Sequence, residues 1–342
     1  MKPILAAALL LASTALVPPA AAQTELSFNI FFPPTHFIWP VFQSWSDDVA
    51  AATDGEVKIT FPAQSVSPPP GVMDAVRNGV ADGGFIFNGF IAKTAPATLL
   101  SQMPWMHKRD SAAMSVQMWE NYQEHFAGKE EMRGVELVSM FNLGPAYLCS
   151  VSDTPITALD ELSSRRIWAL PGTIANTLKD MNLSIVAGPA VQVQELTSRN
   201  TVDAHFGLTA ETIVSFGVAP YTKSCVDMNP SMQSANFSVF FNQRAWDRLT
   251  DEQRAAISEL AGSSLARRLG EATNEAETAA LAKLKEQGVT FVEPTPEFLA
   301  AFETSAAKIA DGWAKAVSDK YGVETADIVD EMRREVDAAT AK

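Results

Sequence analysis

Cysteine is nearly absent from this chain. Its 342 residues hold two, Cys149 and Cys225. No C-x-x-C pair occurs, so neither a redox couple nor a zinc ribbon is indicated. Histidine is scarce as well. His36, His107, His125 and His205 show no metal-ligand spacing, and none stands close to a cysteine in sequence. His107 and His125 read as solvated surface residues, whereas His36 opens a helix after a strand, where a ligand meets free backbone N–H groups. The stretches GxSxG, HExxH and GxxxxGK[ST] are missing, and so is a GxGxxG after a strand. These absences argue against an enzyme, and neither a cofactor nor a metal is expected. Basic residues are few: 26 Lys and Arg face 40 Asp and Glu, a formal charge of −14. That balance argues against nucleic acid and favours neutral or cationic ligands over anionic ones.

Long apolar runs are confined to the N-terminus. Lys2, the run Ile4 to Val17 and Ala20-Ala21-Ala22 form a basic region, a hydrophobic region and an A-x-A cleavage site. The spacing predicts a signal peptide over 1–22, cleavage after Ala22 and export to the periplasm. Losing Lys2 would take the charge to −15. No other segment reaches ~18 uncharged apolar residues, so no membrane span is predicted. An exported chain with two cysteines allows one disulfide. Both lie in apolar, strand-like segments, and a Cys149–Cys225 bond or two buried thiols are the alternatives.

Two stretches about 120 residues apart read almost alike. Asp74 to Phe85 and Glu195 to Phe206 each show an amphipathic helix ending at Arg-Asn, then Val, Asp and the start of a strand. A repeated helix-to-strand unit predicts two similar α/β lobes with a ligand-binding cleft between them. Alternation predicts strands over Leu26–Phe32, Glu56–Phe61, Phe85–Phe87, Val135–Phe141, Ala146–Val151, Arg166–Leu170 and Phe237–Phe241. Helices are predicted over 36–53 with Thr35 as cap, 111–126, 157–161, 173–181, 250–287, 296–321 and 324–339. No low-complexity linker separates the lobes, so they are expected to be hinged through continuous elements.

The chain resembles the periplasmic solute receptors of tripartite ATP-independent (TRAP) transporters over nearly all of its mature length. The resemblance is carried by Pro33-Pro34-Thr35-His36, Gly55-Glu56-Val57-Lys58-Ile59, Phe61-Pro62-Ala63-Gln64, the first repeat unit, Met103-Pro104-Trp105-Met106, Thr154-Pro155-Ile156 with Asp160-Glu161-Leu162, and Gly188-Pro189 through Val202-Asp203. It implies a two-lobe α/β periplasmic binding protein fold with crossing strands and a long helix spanning both lobes. Ligand-driven closure and delivery to membrane permease subunits are implied as well. The lobes are drawn as 23–146 plus 224–262 and 147–223 plus 263–342, in a chain expected to be a monomer.

The chain departs from that family where many members hold a carboxylate with arginine. The clamp position falls on Trp168, a second arginine position falls near Tyr147, and Phe206 stands where a polar residue is common. Guanidinium groups serve an anion, while aromatic faces serve a cation or an apolar group. The expected solute is therefore a small amine of the ethanolamine or choline kind in an aromatic cage. Its other candidate contacts are His36, Phe37, Trp39, Gln64, Phe87, Asn88, His205 and Glu211. The alternative is an organic carboxylate clamped by Arg166, which shares a strand face with Trp168. A periplasmic hydrolase is the competing reading from another class.

Overall fold

The structure is a computed structural model that describes residues 23–129 and 132–341. The expected leader, 1–22, lies outside the described residues. In chain order the first elements are β1 (Thr24–Asn29), α1 (Ile38–Ala52), β2 (Val57–Thr60), α2 (Val72–Arg77), β3 (Gly83–Phe87), α3 (Ser111–His125), β4 (Val135–Pro145) and β5 (Tyr147–Ser150). The chain continues through α4 (Leu159–Ser163), β6 (Ile167–Ala169), α5 (Thr173–Asp180), β7 (Ile185–Ala187), α6 (Val193–Ser198), β8 (Ala204–Leu208), α7 (Ala210–Ser215) and β9 (Ser224–Val226). It ends with β10 (Ser234–Asn242), α8 (Gln243–Asp247), α9 (Asp251–Leu260), α10 (Gly262–Glu286), β11 (Thr290–Val292), α11 (Pro296–Tyr321) and α12 (Thr325–Thr340).

These strands form two sheets, ordered β2-β1-β3-β10-β4 and β11-β9-β5-β8-β6-β7. Each carries one strand, β10 or β5, that runs antiparallel to both its neighbours. The two-lobe α/β architecture expected from the repeat is present. Each repeat opens with a 3₁₀ turn, Pro69–Gly71 or Ala190–Gln192, then enters α2 or α6. Each then passes through a left-handed residue, Gly79 (φ +76°) or Asn200 (φ +53°), before its strand. The shared aspartate explains the similarity. Asp82 accepts the Ser27 N–H at 3.0 Å and Asp203 accepts the Arg166 N–H at 2.8 Å. Each aspartate returns its own N–H to the carbonyl of that same residue. The same side chain thus locks helix–strand register in both lobes.

Four connections cross between the lobes among the described residues: β4 to β5, β9 to β10, α10 leading to β11, and α11 running into α12. Helix α10 packs on α1, α3 and β4 of the first lobe and on α7 of the second. The lobe boundaries differ from those drawn on the sequence. Ser224–Val226 lies in the second sheet, and α12 packs back on α3 of the first lobe. Cys149 and Cys225 face each other on β5 and β9 and are bonded.

Two local differences have clear causes. The single helix expected over 250–287 breaks at Ala261–Gly262, where Gly262 takes φ +53° and a Cβ would lie 3.1 Å from the Trp119 indole nitrogen. Thr35 does not cap α1. Instead the Ile38 N–H donates to His36 Nδ1 at 3.2 Å, so the imidazole takes that role.

Candidate functional site

The lobes meet around a narrow cavity of about 40 Å³. Its lining comes from loops at the carboxyl ends of parallel strands, where α/β sheets place their ligands. After β1 come Phe31 and Phe32; at the end of β3 and just beyond it come Phe87 and Phe90; after β6 comes Leu170; at the end of β8 and just beyond it come Leu208 and Thr209. Leu143 of β4 and Ala235 and Phe237 of β10 close the first-lobe wall, and Thr212 and Phe216 extend the second. The two repeat turns supply Pro69 from one lobe and Pro189, Ala190 and Val191 from the other. A bulge shapes the second wall. Tyr147 pairs with Leu208 while Leu148 pairs with Phe206, leaving Gly207 as the extra residue. Gly207 sits at φ +123°, and a Cβ there would lie 2.3 Å from Leu170 Cβ. Only glycine fits this approach.

The lining is almost wholly apolar. Phe237 stacks on Phe141 at 4.8 Å and meets Phe32 and Phe87 edge-on or tilted. Among the described residues, Thr209 and Thr212 are the only lining residues with polar side chains, and they form the reciprocal cap of α7. Thr212 donates its hydroxyl to the Thr209 carbonyl, and the two hydroxyls lie 3.1 Å apart. No charged side chain lines the cavity among the described residues.

Of the residues singled out in the sequence, Phe87 alone lines this space. Trp168 is fully buried one strand step below the rim, in the same cluster as Cys149 and Ile213, and its indole N–H has no partner among the described residues. Tyr147 is buried against Phe291, and burial, with Glu277 and Asp227 nearby, pushes its phenol up. Phe206 points through the opposite face of the second sheet onto Phe302. His205 is buried beside Thr222 at 3.2 Å, and burial lowers its pKa to about 3, so it is neutral. Asn88 donates to the Thr98 carbonyl and accepts from Ser238. Trp39 donates to the Phe32 carbonyl, Phe37 lies in a separate groove with Glu211, and Gln64 is exposed.

Arg166 does not line the cavity. Its side chain is 55 % exposed and pairs with Asp203 at 3.3 Å, outside the cavity. The reason is the repeat itself: Asp203 belongs to the register lock and draws the guanidinium outward. His107 is also corrected. It is buried, its Nδ1 accepts the Arg109 N–H, and burial lowers its pKa to about 4. His125 is at the surface, 3.2 Å from Glu331. With Glu124 these two form the one cluster among the described residues that could hold a metal, and none of the three lines the cavity.

Just outside the cavity, His36 Nε2 lies 3.0 Å from Glu211 Oε2. The backbone N–H groups of Ala210 and Glu211 donate to the two oxygens of Glu277, both at 2.9 Å. Burial raises the Glu277 pKa to about 7, against those two bonds, with the Glu211 charge adding to the rise. Glu277 also presses on the end of β4, where a Cβ at Gly144 would lie 2.9 Å from its carboxyl carbon.

Sequence reasoning missed most of the lining: Phe31, Phe32, Phe90, Phe216, Phe237 and Leu170. The signal that could have found them is position, since most of them follow the carboxyl end of a strand or helix that the repeat already places.

A model of the family described as bacterial extracellular solute-binding protein, family 7, matches residues 28–316. The outer membrane transporter protein TsaT of Comamonas testosteroni is 25% identical over 334 residues, 98% of each chain. A TRAP periplasmic solute-binding protein from Bordetella bronchiseptica, solved with bound (R)- and (S)-mandelate, superimposes with a TM-score of 0.87 at 24% identity, covering 93% of this chain and 100% of that one. A marine metagenome TRAP solute-binding protein specific for aromatic acid ligands, solved with 3-hydroxybenzoate, gives 0.82 at 22% identity over 93% and 99%. This chain therefore belongs to family 7 of the bacterial extracellular solute-binding proteins, the periplasmic receptors that bind small solutes and work with the membrane permease subunits of TRAP transporters.

Proposed function

We propose that the protein captures a small aromatic acid between its lobes, with the aryl ring in the phenylalanine-lined cavity. The observation that carries this reading is the lining: six phenylalanines from both lobes, two threonines, and no carboxylate. Burying roughly 150 Å² of aryl surface contributes about 4 kcal/mol. A small amine is disfavoured by the same lining. A buried ammonium without an acceptor is costly, and no acidic side chain reaches the cavity. This replaces the ethanolamine-like solute and aromatic cage expected from Trp168 and Tyr147. The relatives solved with mandelate and 3-hydroxybenzoate support the change.

The carboxylate class is kept, but without Arg166. The acid head takes its hydrogen bonds from neutral donors. The Thr209 hydroxyl can turn from Thr212 to a solute. Ala190 opens a 3₁₀ turn at the cavity, and the first N–H groups of such a turn have no partner within it. The uncharged lining also favours a second reading, a neutral aromatic solute.

Isothermal titration with benzoate, 3-hydroxybenzoate, mandelate, benzamide, ethanolamine and choline separates these. The acids should bind and the amines should not. Binding of benzamide alone would establish the neutral reading. Binding of choline or ethanolamine with no response to any acid would overturn both.

A further inference from the structure

We propose that His36 and Glu211 are positioning residues for capture: a cross-lobe latch that sets how readily the lobes close, without touching the solute. His36 stands in the first lobe, ahead of α1, and Glu211 stands on α7 of the second. Their side chains are almost wholly buried, yet neither lines the cavity. The Ile38 N–H donates to His36 Nδ1, so that nitrogen carries no proton and Nε2 presents its N–H side to Glu211. The 3.0 Å contact lies off the line of a good hydrogen bond, and neither atom has another hydrogen-bond partner among the described residues. The attraction is therefore mainly electrostatic.

Aromatic contacts extend the latch to the cavity wall. The Phe216 ring at the end of α7 lies 5.5 Å from Phe32 and 5.8 Å from His36. Phe32 and Phe216 both line the cavity. Of the side chains around the Glu211 carboxyl, His36 is the one that presents an N–H to it. Glu277, which binds the Glu211 N–H, is itself acidic, and Lys283 is exposed across the adjoining groove.

In an open form water hydrates both groups. In the closed form each is stranded if the other is removed. Removing one partner should therefore shift the closed-to-open ratio by roughly tenfold toward open. Apparent affinity falls by that same factor for every solute, because the binding-competent fraction falls.

Two measurements test this. Spin labels at the exposed positions Val80→Cys and Val186→Cys sit on opposite lobes. Ligand-free protein should show a closed population by pulsed dipolar spectroscopy. That population should vanish in His36→Ala and in Glu211→Ala, and His36→Gln, which keeps an N–H donor, should retain part of it. Titration with benzoate and 3-hydroxybenzoate should show both affinities falling by one factor, with their ratio unchanged. Superimposable ligand-free distance distributions in the parent and both alanine variants would overturn the latch. A changed ratio between the two acids would overturn it too, because it would put these residues against the solute. If neither acid binds the parent protein, the aromatic-acid reading fails while the ligand-free distances still decide the latch.

Discussion

Replacing Glu277 with glutamine should remove a pH dependence that the fold builds into its spanning helix. The Glu277 carboxyl is buried in α10, between the end of β4 and the start of α7. Burial raises its pKa from 4.5 to about 7. Below about pH 4.5 the group is protonated in the folded and unfolded chain alike, so its contribution to stability is complete there. As pH rises past 4.5 the unfolded chain releases this proton while the folded chain keeps it. Unfolding then becomes easier by about 1.4 kcal/mol per pH unit until the folded group ionises near 7. The total loss is about 3 kcal/mol. Glutamine cannot ionise, and its single carbonyl can serve only one of the two N–H groups that Glu277 binds. The variant should therefore start about 1–2 kcal/mol below the parent at low pH and overtake it between about pH 5 and about pH 6. Urea denaturation from about pH 4 to about pH 8, with the m-value checked for constancy, reads the difference between the two proteins. Other carboxylates cancel in that difference. A difference that stays flat across the range would refute the reasoning, and would mean that the two backbone donors outweigh burial.

Three further outcomes follow from the geometry. Phe237→Ala removes a buried ring stacked on Phe141 and should cost about 3–5 kcal/mol in chemical denaturation and weaken binding of an aryl solute by calorimetry. Unchanged affinity would take the ring out of the site. Arg166→Ala breaks only a surface pair, so stability should change by less than about 1 kcal/mol and solute affinity not at all. A large loss of affinity would return this guanidinium to the cleft. The Cys149–Cys225 bond spans 76 residues of sequence, and replacing both cysteines with alanine should lower stability by about 4 kcal/mol. Equal urea midpoints for the two proteins would show that the reduced chain pays no loop-closure entropy.

Much of the fold was legible because its elements announce themselves locally. Strand alternation at Val57–Thr60 and the start of a helix at 250 needed no tertiary context, and both are present. The repeat was legible because Asp82 and Asp203 do the same physical task in both lobes. What the sequence hid were features set by contacts distant in the chain. The break at Gly262 sits against Trp119, and the burial of His107 comes with its bridge to Ser231. Neither leaves a trace in local periodicity.

The site was misread for a related reason. Alternation correctly puts Trp168 and Leu170 on one face of β6, but it carries no information about depth along the strand. Two residues advance a strand by about 6.6 Å, which is enough to separate a rim position from a core position. Leu170 at the rim lines the cavity, while Trp168 lies beneath and packs as core. Along this face the rim lies two residues past Trp168, at Leu170, and not two residues before it, at Arg166. The aromatic side chains that line the cavity mostly follow the ends of strands or helices; Phe237 alone lies well inside a strand. A phenylalanine just past the carboxyl end of a parallel strand has no sheet face to cover, so its ring must find another apolar surface. In this fold that surface is the opposing lobe, as where Phe32 meets Phe216.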